Sequence, residues 1–509
     1  MKSEFLHKEN TGRLIIIFAG WSTAPDFYRH ISLPGWDLLV VHDYSDLDFD
    51  KSVMDGYHTV ALFAWSLGVF AASMVIPADK LALAVAINGT ESPVDDEFGI
   101  PVNIFNGTAQ TLNARNLAKF RRRMFGTSSA DRALALAGAP MALVRTSMAL
   151  AEAKDDIDHL RSQLEFIAHI AKRNSKDYDI NSSRHSAKSS PNGNINWNRV
   201  YISEKDQIFP PKSQRKAWER HPSNPEIVAL NEPHYVDLNR IIKSALPAKE
   251  SVGKLFHKAL STYDNQAIAQ RTIAEHLTDF PGGVPLSPKK VLEIGPGSGV
   301  FTKLFAKRFH PERMDFVELY PLPAFDIAAE ENYFVADAED WVAQEALANP
   351  GAYDAIVSAS ALQWFANPDS FFRNVAKLLC PGGFILCSTF VPGNLKEMES
   401  VNPYGLIYRP IDEMERIVRK YFMFSKLEEE ELIVGFDSPQ QTLRHLKETG
   451  VGGGISTGRT PRQLLSSTPL ALTYRPLYIY AVTSPLPKDN PSQNNLSTQK
   501  LPSPPQPKL

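Results

Sequence analysis

Along the first half of the chain, apolar residues cluster in short uninterrupted runs that end in turn-forming residues. RLIIIFAGW (13–21), DLLVVHDY (37–44) and TVALFAWS (59–66) have this form, and LALAVAINGT (81–90), NRVYISEKD (198–206) and EIVALNEPH (226–234) follow. Runs this short, apolar on both faces, predict strands buried inside a sheet. From 109 to 173 apolar positions recur mostly at helical spacing. Beyond residue 252 the order is helix, KKVLEIG, helix, MDFVELY, helix, AYDAIVSAS, helix and GGFILCSTF. Strands alternating with helices predict mostly parallel sheets covered on both faces, so both halves read as α/β.

Three stretches interrupt the pattern. Residues 174–198, rich in Ser and Asn, read as a polar loop or insertion. SALPAKESV (244–252) reads as an inter-domain linker, and the Pro- and Ser-rich tail 484–509 as unstructured. The expected domains are therefore 1–245, with a helical lid over about 109–173 and the insert at 174–198, and 246–483, followed by the tail. Neither domain is expected to borrow a site residue from the other.

Composition narrows this little. At 509 residues the chain is too long for one ordinary core, and its net charge of -3 gives no global case for nucleic-acid binding. Cys380 and Cys387 lie outside any metal-ligand spacing, which argues against a metal site or a disulfide framework and for a reducing cytoplasm. The N-terminus lacks the apolar core of a secretory signal, and no apolar run approaches the roughly 18 residues of a membrane span.

Two turns carry candidate chemistry. In Ala64-Trp65-Ser66-Leu67-Gly68 a serine stands between a strand and a helix-compatible stretch, as in the nucleophile elbow G-x-S-x-G, with alanine replacing the first glycine. Such a serine needs an acid and then a histidine downstream. Asp206 and His234 follow in that order, each just past a strand. The aspartate would orient the imidazole, which would take the serine proton. Backbone N–H groups of Leu67 and Trp21 are placed to form an oxyanion hole.

The second turn, VLEIGPGSGVF (291–301), joins a strand to a helix through Gly295, Gly297 and Gly299. Its spacing departs from the dinucleotide fingerprint G-x-G-x-x-G. Glu318 ends the next strand, where a carboxylate accepts both ribose hydroxyls of a nucleoside. Asp337, beside Ala338, ends another and suits an adenine amino group. Glu293, in the first turn, either holds the loop or meets an amino-acid portion. Together they point to S-adenosylmethionine.

FAGWSTAP, FAWSLGV, SEKDQIFP and EPHY resemble the α/β-hydrolases, and within them the compact esterases that cleave pimeloyl-carrier-protein methyl ester in biotin synthesis. The resemblance covers about residues 10–243 and implies a Ser66, Asp206 and His234 triad. FHKALSTYDNQAIAQRTIAEHL (256–277), SASALQWFANP (358–368) and FILCSTFVPGNLKEMESV (384–401) resemble the malonyl-carrier-protein O-methyltransferases of the same pathway. That resemblance covers about 253–480. It implies a Rossmann-like class I methyltransferase domain, with Tyr263 on a segment closing over the cofactor and Gln363 and Trp364 bordering the pocket. Arg409 is a candidate for holding the substrate carboxylate.

The implied partner is an acyl-carrier protein, or a coenzyme A thioester in its place, with neither nucleic acid nor membrane. Carrier proteins are usually acidic, and Arg115, Lys119, Arg122 and Arg123 form a one-sided basic stripe at helical spacing. Two rivals stay open: a small-molecule carboxyl methyltransferase fused to an unrelated esterase, and a first half that is a non-catalytic module.

Overall fold

The computed structural model describes residues 1–126, 156–176, 194–282, 286–399, 401–449 and 461–484. Strands β1 (Lys2–His7), β2 (Arg13–Phe18), β3 (Asp37–His42), β4 (Thr59–Trp65), β5 (Leu83–Ile87), β6 (Arg199–Ser203) and β7 (Glu226–Leu230) form one sheet. Its order is β1-β3-β2-β4-β5-β6-β7, parallel except for the antiparallel edge strand β1. Alternation decides which side each residue covers. Leu14, Ile16, Phe18, Leu62 and Ala64 enter one core, while Ile15, Ile17, Ala61, Phe63 and Trp65 enter the other. Both faces are therefore dry, which explains the unbroken apolar runs.

Helices Ala114–Met124 and Ile157–Lys176 occupy the described part of the region expected to be a lid, and Val102–Gln110 lies mostly before it. Their buried residues Phe105, Leu117, Leu164 and Ile167 join the same core as Trp21 and Leu67. The remainder of the expected lid, 127–155, lies outside the described residues, as do 177–193 of the insert and 485–509 of the tail.

The second half contains β8 (Lys290–Ile294), β9 (Arg313–Glu318), β10 (Glu330–Val335), β11 (Tyr353–Ser358), β12 (Leu379–Phe390), β13 (Phe424–Glu429), β14 (Leu432–Gly435), β15 (Ala471–Tyr474) and β16 (Pro476–Val482). Seven of them form a Rossmann-like sheet in the order β10-β9-β8-β11-β12-β16-β13, with β16 antiparallel to both neighbours. β14 and β15 make a separate two-stranded ribbon. Among the described residues no helix is long and apolar enough to cross a membrane.

Local pattern misplaced some boundaries. The expected linker is mostly helical: one helix ends at Ala245 and the next begins at Lys249, with Leu246 buried between them. The end of the polar insert is core, because Trp197 is buried, packs edge-on against Trp218 and donates its indole N–H to Glu91 at 2.7 Å. β1 and β13 to β16 fall outside the expected strands: β1 and β13 are edge strands rich in polar residues, β14 and β15 are four residues each, and β16 is a buried apolar run that the expected series leaves out.

The halves meet through a closely packed polar seam. Arg199, 3% exposed, donates to Glu226 and to the carbonyls of Gly405 and Leu406, each of these two at 2.6 Å. Tyr404 enters the first domain's core, lies against Tyr201, and donates its hydroxyl to Glu232 at 2.6 Å. A cation this deeply buried is tolerable only with its donors matched. Removing the Tyr404 ring should leave a cavity in the seam. Tyr404→Ala is expected to cost about 3 kcal/mol, read as a lowered midpoint in chemical denaturation.

Candidate active sites

Ser66 joins β4 to the helix Leu67–Val75 with φ 59° and ψ −126°, a left-handed turn that an ordinary residue rarely adopts. Its neighbours show why it persists. A Cβ on Gly68 would collide with the Phe18 carbonyl oxygen and lie 2.7 Å from that of Ala19. A Cβ on Gly89 would strike the carbonyl oxygen of Ser66 itself. Ala64, by contrast, lies fully buried within β4, in register with Phe18 and Ala86, and needs no glycine there. The crowding that the motif assigns to its first glycine falls on Gly89.

The turn aims Ser66 at His234. The serine hydroxyl donates to His234 Nε2 at 3.0 Å, and His234 Nδ1–H donates to Asp206 at 2.7 Å. All three residues are buried. Asp206 also accepts the N–H groups of Ile208 and Phe209 and the amide of Gln214, so its carboxylate cannot rotate freely. The His234 carbonyl is fixed in turn by Asn88 Nδ2 at 2.7 Å and the Trp65 indole N–H at 3.1 Å. Asn88 ties the same loop to Ser203.

These supports escaped the sequence reading. Trp65, Asn88 and Gln214 look like core or turn residues until their partners are known. Leu67 opens its helix, so its N–H is among the amides with no intrahelical acceptor. Trp21 follows β2 in the loop whose carbonyls press on Gly68, and its indole donates to the Leu160 carbonyl at 3.2 Å. The arrangement suits nucleophilic attack on an ester with general-base help.

The second cleft opens at the ends of β8, β9 and β10. Of the expected residues, Glu293, Gly295, Gly297, Glu318, Asp337, Ala338 and Trp364 line it. Gly295, Gly297 and Gly299 all have positive φ. Gly299 acts sterically: a Cβ there would meet the Phe325 ring at 2.5 Å. Glu293 accepts from the Thr302 hydroxyl at 3.0 Å, while its other oxygen has no partner among the described residues. Burial drives its carboxyl up to about 8. Glu318 accepts from the N–H groups of Leu319 and Gly297, and burial drives it up to about 7 against those bonds.

Asp337 behaves differently. Burial works to raise its carboxyl, but Lys249 and Arg13 outweigh that and hold it below its usual range. Gln270, unnoticed in the sequence, also lines the cleft with a buried, unpartnered carbonyl oxygen, and the Trp364 indole N–H is likewise unpartnered among the described residues. These open acceptors, beside glycines that admit close backbone approach, fit a ligand rich in donors such as S-adenosylmethionine. Among the described residues no cluster of His, Cys, Asp and Glu has the form of a metal site.

Two expectations need correction. Arg409 does not present a free fork to a carboxylate. Its guanidinium donates to Glu413 at 3.0 Å and to the Ala82 carbonyl, binding it into the seam. The sites are also not self-contained, because Arg13 of the first domain pairs with Asp337 of the second cleft at 2.8 Å. Gln363 borders a smaller neighbouring cavity and donates to the Ser360 carbonyl. Tyr263 belongs to the helix Lys249–Gln266, but its side chain lies outside the described residues.

Over 489 residues the chain is 33% identical to malonyl-(acyl-carrier protein) O-methyltransferase of Bacteroides fragilis (strain 638R), covering 92% of each protein. The chain belongs to that family. Within it, residues 1–136 match the family described as pimeloyl-ACP methyl esterase BioG, and residues 265–421 match a methyltransferase domain. The Porphyromonas gingivalis malonyl-(acyl-carrier protein) O-methyltransferase is 35% identical over 252 residues, 46% of this chain and 95% of that protein. The crystal structure of BioG from Haemophilus influenzae is 32% identical, covers 46% of this chain and 94% of its own, and has a TM-score of 0.36.

In this family member the elbow should be intolerant of a single methyl group. Gly68→Ala is expected to displace the turn and lower turnover of a small methyl ester by about 100-fold. Steady-state assays of the purified full chain test this directly.

Proposed function

We propose that the chain methylates the free carboxylate of malonyl-acyl-carrier protein and hydrolyses pimeloyl-acyl-carrier-protein methyl ester. The observation that carries the reading is one chain holding both the Ser66–His234–Asp206 relay and a carboxylate-lined cleft, aligned almost end to end with its B. fragilis relative. Esterification removes a charge that is costly to bury in an apolar acyl tunnel, and hydrolysis restores it once the acyl chain is complete.

In the first domain His234 accepts the Ser66 proton as the hydroxyl oxygen attacks the ester carbonyl. Asp206 holds the imidazole in the required tautomer and favours its charged form. The N–H groups of Leu67 and Trp21 stabilise the oxyanion. His234 then returns the proton to the departing methanol, and water clears the acyl-enzyme by the same relay.

In the second domain, S-adenosylmethionine would supply an electrophilic sulfonium methyl. Glu318 would accept the ribose hydroxyls, Asp337 and Ala338 would meet the adenine, and Glu293 and Gln270 would receive donors of the amino-acid portion. The segment that carries Tyr263 would close over the cofactor, with Gln363 and Trp364 bordering the pocket. A carboxylate is already a competent nucleophile, so positioning carries this step and no general base is needed.

Arg115, Lys119, Arg122 and Arg123 stand exposed on Ala114–Met124 and form the dock for the acidic carrier protein. Between them Arg121 is buried and donates to the Ser22 carbonyl beside Trp21, linking the stripe to the oxyanion loop.

Mass spectrometry of malonyl-carrier protein incubated with the chain and S-adenosylmethionine should show gain of one methyl group; no gain would sink the transferase reading. Ser66→Ala should keep that activity and lose ester hydrolysis by several orders of magnitude. Near-normal hydrolysis in this variant would remove Ser66 from the mechanism.

A pH dependence follows from Glu318. The ionised carboxylate is the form that accepts two hydroxyls, and its pKa lies near 7. Cofactor affinity should therefore fall as pH drops through about 7, with a proton released on binding below that point. Calorimetry in buffers of different ionisation heat measures that proton, and Glu318→Gln should reduce it, leaving only what Glu293 releases.

A further inference from the structure

The N-terminus of the helix Ala338–Ala348 carries Asp337 as its cap and Glu339 and Asp340 in its first turn. Three acids this close repel one another unless cations intervene. The cations come from outside the methyltransferase sheet. Arg13, the first residue of β2, places one nitrogen 2.8 Å from Asp337 and 2.7 Å from Asp340. Lys249 lies 3.1 Å from Glu339 and 3.5 Å from Asp337. The Arg13 and Asp337 side chains are only 11% and 15% exposed, so water screens this pair weakly.

A second tie runs alongside. Glu339 accepts the N–H groups of Ala366 and Asn367, and the Asn367 amide donates to the His58 carbonyl at 2.9 Å, just before β4. Thus Asp337 and Ala338 on one wall of the cleft, and the loop ending in Trp364 and Phe365 on another, are both anchored to the esterase domain.

We propose that the esterase domain completes the cofactor site of the methyltransferase domain, with Arg13 as the positioning residue that holds the Asp337 carboxylate toward the adenine edge. The inference rests on the reading of this cleft as the S-adenosylmethionine site. Arg13 touches no reacting atom; it fixes the direction of the group that does the recognition. The consequence is that purine discrimination in one domain depends on a side chain of the other.

The test compares binding of S-adenosylhomocysteine and S-inosylhomocysteine to the full chain by calorimetry. The inosyl compound carries a carbonyl where adenine has its amino group, and so lacks the donor that Asp337 would accept. Wild type should prefer the adenosyl ligand. Arg13→Ala should weaken the adenosyl ligand about tenfold and the inosyl ligand much less, collapsing the preference. Arg13→Lys, which keeps the charge, should recover part of it and carries the comparison if the alanine variant does not fold. Unchanged turnover of a small methyl ester reports an intact first domain. Equal losses for both ligands would make Arg13 merely structural and overturn the proposal, as would no loss at all. Failure of wild type to bind either ligand would overturn the cofactor reading itself.

Discussion

A parallel strand that feeds a helix on the same sheet must turn sharply at its carboxyl end, and both sites in this chain are built on that turn. The turn forces backbone into the left-handed region and brings carbonyls within contact of the next element. At β4 it is met by Ser66 itself, with Gly68 and Gly89 leaving the space. At β8 it is met by three glycines: Gly295 and Gly299 make room for the Ala361 and Phe325 side chains, and Gly297 leaves its backbone open to the cleft. One geometrical requirement thus yields the strained serine turn in the first domain and the glycine-lined cleft in the second.

The surroundings then assign opposite electrostatic characters. The serine relay is closely matched: the side chains of His234 and Asp206 and the His234 carbonyl each have named partners. Such matching gives a rigid relay. The cleft of the second domain instead keeps open acceptors on Glu293 and Gln270 and an open donor on Trp364. Buried unpartnered groups cost stability, and they do so here where a ligand would satisfy them.

Joining the halves required a polar seam rather than an oily one. Arg13, Arg199 and Arg409 each cross it and each end on acids or carbonyls of the other half or its border. Guanidinium groups suit this because their planar fork meets several acceptors from a fixed position. The geometry is directional, so it specifies one docking arrangement where apolar contact alone would permit several. Among the described residues Tyr404 adds the one large ring that passes from the second half into the first domain's core.

The amino-acid sequence by itself determined the α/β class of both halves and the positions of Ser66, Asp206, His234 and Glu318. Each of these ends or follows a short apolar run, and in a parallel sheet such a residue stands at a predictable edge; Glu293, expected in the turn, instead lies inside β8. The sequence did not determine β1 or β13, whose polar residues resemble loop, nor the antiparallel β14 to β16, although β16 is an apolar run, nor the helix begun within SALPAKESV. Only tertiary structure decided what supports each site. Trp65 and Asn88 reach His234 across 169 and 146 residues, and Arg13 reaches Asp337 across 324. Local periodicity reports which face a residue occupies, but it holds no information about which distant residue shares that face. For the same reason Arg409 read as a free arginine in sequence, and became a seam residue once the fold placed the Ala82 carbonyl beside it.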